Sequence, residues 1–281
     1  MIKIIEYALI ADDVYSSRSN FKKYEKKHSH DLILDQWYAI MDLAPIQYQR
    51  HICHAALYIK FLKNFAIDAI VAIRGTDNLY DVSVDFHSWF SDAMSRGKFD
   101  HVPSYYVAAY LFFLRARDFL NQHFARVNLS LTGHSLGGAL AQLIVGLGHK
   151  PYVAVTFNAP GIGHIPGVDT NMSQYVYGIN SRYGLINKIG KSFGHIEYID
   201  VPNEEAAAKK AFQILAIEQR DEQKFLHTKD AIDKIFLNNL IMSEAMQARN
   251  DFLVSVYPQH SIKNLIAALR NNLYIANEVL S

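Results

Sequence analysis

Apolar residues along this chain recur with two spacings, and the points where one gives way to the other mark its predicted elements. Ala66 to Ile73 is apolar except for Asp68, the pattern of a buried strand, and it faces a second strand at 54–62 across Lys63-Asn64. An earlier strand is predicted at 36–41. Val127, Leu129 and Leu131 alternate with polar neighbours, which predicts a strand over 127–132. Leu136, Ala139, Leu140, Leu143, Ile144 and Leu147 then follow the spacing of one helical face, so a helix is predicted over 136–147. A long helix rich in Tyr, Phe, Leu and Ala is predicted over 104–124, and strands over 152–157 and 175–180. Residues 194–201 read as an edge strand running back from the edge where the loops gather. Residues 3–15 read as an amphipathic first helix. Strand and helix alternate throughout, which predicts an α/β fold: a mostly parallel sheet flanked by helices. After Pro202 the pattern changes. Glu204 to Ser281 contains only Pro258 as a breaker, and Ile232, Ile235, Phe236 and Leu240 form one stripe. The chain is therefore read as a single domain over 1–281. Its core spans 1–202, a helical C-terminal extension or cap 203–255, and a loop with a closing helix 256–281.

Between the strand at 127–132 and the helix at 136–147 stands Gly133-His134-Ser135-Leu136-Gly137-Gly138, a match to G-x-S-x-G. A strand, this turn and a helix together present a serine as nucleophile. So sharp a turn crowds the backbone, and Gly133 and Gly137 keep Cβ atoms out of it. Gly138 and Ala139 let the helix lie close to the sheet. Acyl transfer also needs two donors aimed at the oxygen that becomes negative. Leu136 N–H supplies one. The buried strand 66–73 stops at Arg74-Gly75-Thr76-Asp77, and a glycine beside a hydroxyl residue at the same sheet edge suits the other.

These pieces resemble the lipase class 3 family, a branch of the α/β-hydrolase fold. The resemblance rests on Val71-Ala72-Ile73-Arg74-Gly75-Thr76, on Leu131 to Ala141 around Ser135, and on Val155-Thr156-Phe157-Asn158-Ala159-Pro160-Gly161. It covers about residues 54–200, in the family's order and spacing. It implies that Ser135 is the nucleophile, that Thr76 and Leu136 form the oxyanion hole, and that lipid-like esters are the substrate. Triacylglycerol, monoacylglycerol, phospholipid and short esters all stay open. The base must be a histidine downstream of Ser135. His260 sits in Pro258-Gln259-His260-Ser261, before a closing helix, as the family's base does; His227 stands behind it. His134 adjoins the nucleophile, but the turn aims neighbouring side chains apart. The triad acid is where the chain departs from the family. Its expected loop reads Asn180-Ser181-Arg182-Tyr183-Gly184-Leu185-Ile186-Asn187, with no carboxylate from Asp169 to Glu197. Tyr183 or Gly184 stands where Asp is expected. Asn187, Tyr183 or Ser181 remain to orient His260 by hydrogen bonds, and Asp221, Asp230 or Asp251 to reach in from the extension. Asp200, five residues along a strand that leaves the active edge, would lie about 16 Å away. A lipase-like scaffold that binds lipid or protein with little turnover is the alternative.

Composition fits an ordinary globular enzyme, with 50% hydrophobic and 20% charged residues among 281. A net charge of +1 gives no whole-chain attraction to nucleic acid or acidic lipid. The single cysteine, Cys53, rules out an intrachain disulfide. His28, His30, His51 and His54 lack Cys or carboxylate partners at metal-ligand intervals, so no metal and no cofactor are expected. The N-terminal stretch lacks the apolar centre of a cleavable signal. The expected location is cytoplasmic, or outside the cell by a route that does not use such a signal. The expected partner is a lipid or small ester, with transient membrane-surface contact; the stripe at 232–240 either touches lipid or packs on the core, and residues 76–90 form a lid, an acyl-binding wall or a core segment. Oligomeric state is left open.

Overall fold

The computed structural model describes residues 2–16, 36–41, 46–48, 51–75, 104–148, 150–184, 186–206, 208–209 and 260–278. The elements are α1 (Ile4–Ser16), β1 (Tyr38–Met41), β2 (Ile46–Tyr48), β3 (His51–Cys53), β4 (Ala55–Phe61), β5 (Ala66–Ile73), α2 (Ser104–His123), β6 (Arg126–His134), α3 (Leu136–Gly146), β7 (Val153–Phe157), β8 (Val176–Ser181), β9 (His195–Ile199), α4 (Ile262–Asn271) and α5 (Leu273–Asn277). Seven strands form one sheet in the order β1-β4-β5-β6-β7-β8-β9, and β2 pairs with β3 separately. β1, β4 and β5 are joined antiparallel, whereas β5 through β9 run parallel.

Strand β5 explains why its stretch of sequence is almost continuously apolar. It lies inside the sheet, and both its faces are covered. Ile67, Ala69, Val71 and Ile73 face α2 and α3, while Ile70 and Ala72 face α1 and α4. Asp68 is the one polar interruption, and its neighbours answer it. Asn128 Nδ2 donates to its carboxylate at 3.0 Å, and Lys60 Nζ lies 3.9 Å away. Lys60 in turn pairs with Glu6 at 2.8 Å, and Glu6 also accepts from Trp37 Nε1 and from the N–H of Lys3. Those donors hold the Glu6 carboxyl below its ordinary range, although burial works against them.

Two expectations change. Helix α1 is not amphipathic. Ile4 to Ala11 are all buried, because the helix is sandwiched between the sheet and the α4–α5 pair. A helix packed on two opposite sides shows no polar face. Strand β9, moreover, does not run back. It pairs parallel with β8, Tyr177 opposite His195 and Ser181 opposite Ile199. Asp200 therefore emerges at the same sheet edge as Ser135.

That edge is built by the carboxyl ends of parallel strands, the usual place for a site in an open α/β sheet. The arrangement is the α/β-hydrolase fold: a mostly parallel sheet with α2 and α3 on one face and α1, α4 and α5 on the other. Of the extension predicted over 203–255, only Asn203–Glu204-Glu205-Ala206, Ala208 and Lys209 are among the described residues. No described helix is long and apolar enough to cross a membrane.

Candidate active site

Ser135 sits between β6 and α3 with φ 57° and ψ −128°. A side chain at positive φ is uncommon, and this corner of the map belongs almost entirely to glycine. The turn holds it there from both sides. Ser135 N–H donates to Phe157 O at 3.0 Å, and its carbonyl accepts from Ala139 N–H at 3.1 Å. The glycines do the steric work expected of them. A Cβ on Gly133 would strike the backbone of Gly137, and one on Gly137 would strike the carbonyl oxygen of Ile73. A Cβ on Gly138 would come within 2.7 Å of Ala159 Cβ. The helix start therefore presses directly against the ends of β5 and β7.

This close approach also brings the second donor loop to the serine. A Cβ built on Gly75 would lie 2.8 Å from His134 O and 3.5 Å from Gly137 N, so the chain after β5 passes beside the turn. Thr76 follows at once but lies outside the described residues. Leu136 begins α3, and its N–H belongs to the first turn, where donors have no intrahelical acceptor. Such N–H groups at a helix start favour negative charge.

His260 is brought to the same place from the far end of the chain. It precedes Ser261, whose hydroxyl caps α4 by accepting from Lys263 N–H at 3.2 Å. Helix α4 packs Ile262, Leu265, Ile266 and Leu269 into the cluster around α1. His260 consequently lies against the nucleophile turn, with its ring centroid 4.7 Å from that of His134. It is 8% exposed, and burial pushes its imidazole down to about 4. Its Nε2 is buried and meets no hydrogen-bond partner among the described residues. His227 lies outside the described residues.

His134 is buried too. Desolvation first, and His260 second, hold its ring well below the ordinary imidazole range, while the His260 backbone works in the opposite direction. Its Nδ1 stands 3.2 Å from the Tyr15 hydroxyl, which also accepts from Gly75 N–H at 3.1 Å. The pattern of the turn gave no sign that His134 would meet His260, because the meeting is made by α4 and α1.

The expected orienters of His260 are engaged elsewhere. Asn187 Nδ2 donates to Asn158 Oδ1 at 3.1 Å and to Ser181 O at 2.9 Å. Its own Oδ1 has no hydrogen-bond partner among the described residues, so Asn187 does not hold His260. Ser181 gives both N–H and Oγ–H to Asn158 Oδ1, at 2.7 and 3.0 Å. Tyr183 packs against the apolar cluster on the α2–α3 face, opposite the face that carries α4. Asp200 is at the active edge but is exposed and paired with Arg182 Nε at 2.7 Å. Asp221, Asp230 and Asp251 lie outside the described residues.

The sequence reading missed one buried carboxylate. Glu204 is 3% exposed and lies in the first turn after the segment following β9. Ser181 and the backbone of Tyr183 lie close enough to favour its charged form, which sets it beside the loop after β8. Burial raises its pKa, and Lys188 counters that. No spacing pattern connects Glu204 to that loop, since β9 and a turn separate them.

Comparison with known proteins agrees with the motifs. Residues 70–166 match the lipase (class 3) family. Solved structures similar to the chain include Lip2 lipase from Yarrowia lipolytica, at 19% identity over 71% of this chain and 78% of that one, with a TM-score of 0.47. M37 lipase matches at 15% identity over 82% of this chain and 80% of that one, also with a TM-score of 0.47. The Rhizomucor miehei lipase propeptide complex, as a Ser95/Ile96 deletion mutant, matches at 16% identity over 70% and 66%, with a TM-score of 0.45. No curated protein sequence matches the chain. On an α/β-hydrolase fold, the chain is thus similar to the lipase (class 3) family over residues 70–166.

Proposed function

We propose that this protein is a serine carboxylic-ester hydrolase of the lipase class 3 type, acting on lipid-like esters. The observation that carries the reading is the backbone of Ser135, φ 57° and ψ −128°, on a turn pressed between two strand ends. Strain of that kind persists only where surrounding structure enforces it, and here it sets a hydroxyl at a helix N-terminus. Ser135 Oγ attacks the ester carbonyl while His260 accepts its proton. Leu136 N–H, with Thr76, stabilises the oxyanion. His260 then gives the proton to the departing alcohol. Water enters, loses a proton to His260 and bonds to the acyl carbon; the bond to Ser135 Oγ then breaks, His260 returns the proton to Oγ, and the carboxylic acid leaves. No cofactor enters this cycle.

One observation favours a second reading, a lipase-like scaffold with weak turnover. His260 is deeply buried, and no described carboxylate bonds to it, so its imidazolium is poorly stabilised. Labelling by a fluorophosphonate probe separates the readings. The hydrolase reading expects wild type to label and Ser135→Ala not to, with p-nitrophenyl ester hydrolysis following the same pattern. A folded wild type that neither labels nor turns over esters of any chain length supports the scaffold instead.

A further inference from the structure

The hydrolase reading leaves a buried group unused. His134 and Tyr15 lie beneath the nucleophile turn, and neither has a part in the chemical steps. They are nonetheless linked to both halves of the machinery. Gly75 N–H donates to Tyr15 Oη at 3.1 Å, and Gly75 immediately precedes the oxyanion residue Thr76. The same oxygen lies 3.2 Å from His134 Nδ1. The two rings meet edge to face at 6.0 Å, and the Arg74 guanidinium sits over the Tyr15 ring at 5.6 Å. The His134 ring also lies against His260, with centroids 4.7 Å apart. A hydroxyl carries one proton and can accept on its lone pairs. Having accepted from Gly75, it has that proton to give to Nδ1.

We propose that Tyr15 and His134 are positioning residues, a strut that fixes the oxyanion loop and the catalytic base relative to each other. Tyr15 Oη anchors Gly75 N–H and donates to His134 Nδ1. His134 is thereby the Nε2–H tautomer, and its ring forms the wall against which His260 is set. The strut starts on α1 and β6 and ends at His260, two residues before α4, so it joins three segments far apart in sequence. Among the described residues of the 181–187 loop, none makes a hydrogen bond to His260, so the strut acts from the other side of the site. Its role rests on the hydrolase reading. Displacements of about 1 Å in such groups cost orders of magnitude in rate, because the donors must meet the oxyanion and not the ground-state carbonyl.

Tyr15→Phe is the test, since it removes the hydroxyl and keeps the ring. Wild type and variant are compared on a p-nitrophenyl ester and its thionoester, with thermal unfolding and ¹⁵N-histidine spectra of both. The strut predicts a fall of at least tenfold in kcat with KM within twofold, and an unfolding midpoint within a few degrees of wild type. The thionoester should lose less than the oxoester, because sulfur makes poor use of an oxyanion hole. The spectra should show His134 as the neutral Nε2–H form in wild type, with both His134 and His260 shifted in the variant. His134→Phe, which keeps a flat ring but no nitrogen, should lose kcat in the same way. Fluorophosphonate labelling of wild-type Ser135, with kcat of Tyr15→Phe within twofold of wild type, overturns the strut and leaves the hydrolase reading standing. Absence of labelling and turnover in wild type overturns both.

Discussion

Ser135 is held where an L-residue is seldom found, and the cost falls on stability. A backbone in this region costs about 1–3 kcal/mol. Ser135→Gly should therefore abolish ester hydrolysis while raising unfolding free energy by about 1 kcal/mol, after the extra chain entropy of glycine is subtracted. Denaturant titration and an ester assay on one preparation check both halves. His260 makes a prediction in pH. Only its neutral form accepts a proton, and burial has pushed its imidazole down to about 4. The acid limb of kcat/KM should then lie near pH 4 and not near the ordinary 6.5. The same shift is linked to folding. Below pH 6.5 the unfolded chain binds a proton that the folded one refuses, so stability declines as pH falls from about 6.5 to about 4. Full burial makes this worth up to about 3 kcal/mol. His260→Gln should flatten that slope in urea titrations across the window.

At the scale of elements, the approach of α3 to β5 is the feature that assembles the site. Gly137→Ala should cost about 2–4 kcal/mol and depress turnover, because the methyl group must displace the carbonyl of Ile73 and the backbone at Arg74-Gly75. Thermal unfolding and the ester assay report the two effects separately. The loop after β8 makes the opposite kind of prediction. Restoring an acid there looks simple from the sequence, yet a Cβ on Gly184 would meet Ser181 Oγ and lie 2.5 Å from Asn187 Nδ2. Gly184→Asp should lower stability without raising the rate. Tyr183→Asp sends its carboxylate toward the α2–α3 face and should change kcat by less than about threefold. A tenfold gain in either variant would show that the loop can present an acid to His260 after all.

At the scale of the molecule, α1 and α4–α5 form one layer, and the site depends on it because that layer carries both Tyr15 and His260. A buried ion pair fastens the layer to the sheet. Glu6 on α1 receives Lys60 from β4 and Trp37 from the segment before β1. Glu6→Ala leaves Lys60 buried without its closest counter-charge and two N–H groups without their acceptor. A loss of about 3–5 kcal/mol is expected. Lys60→Met in the same background should recover part of it, as read by denaturant midpoints, since it removes the stranded charge.

Periodicity in the sequence determined the elements themselves. Ala66–Ile73 was legible as a buried strand because both its faces are covered, and the Gly133–Gly138 turn because its crowding leaves glycine little competition. Local pattern also marked Ser135 and the loop before α4. Pattern could not determine direction or partner. Whether β9 runs with or against β8 depends on a connection whose composition carries no sign, and so Asp200 was placed at the wrong edge. The full burial of α1 required knowing that a second layer covers it, and its residues alone suggested one free face. The contacts of His260 with His134, and of Glu204 with the loop after β8, join segments separated by more than a hundred residues in one case and by a strand and a turn in the other. Backbone propensity and side-chain period act over a few residues, whereas these contacts are fixed by how whole layers pack, and only the tertiary structure decides that.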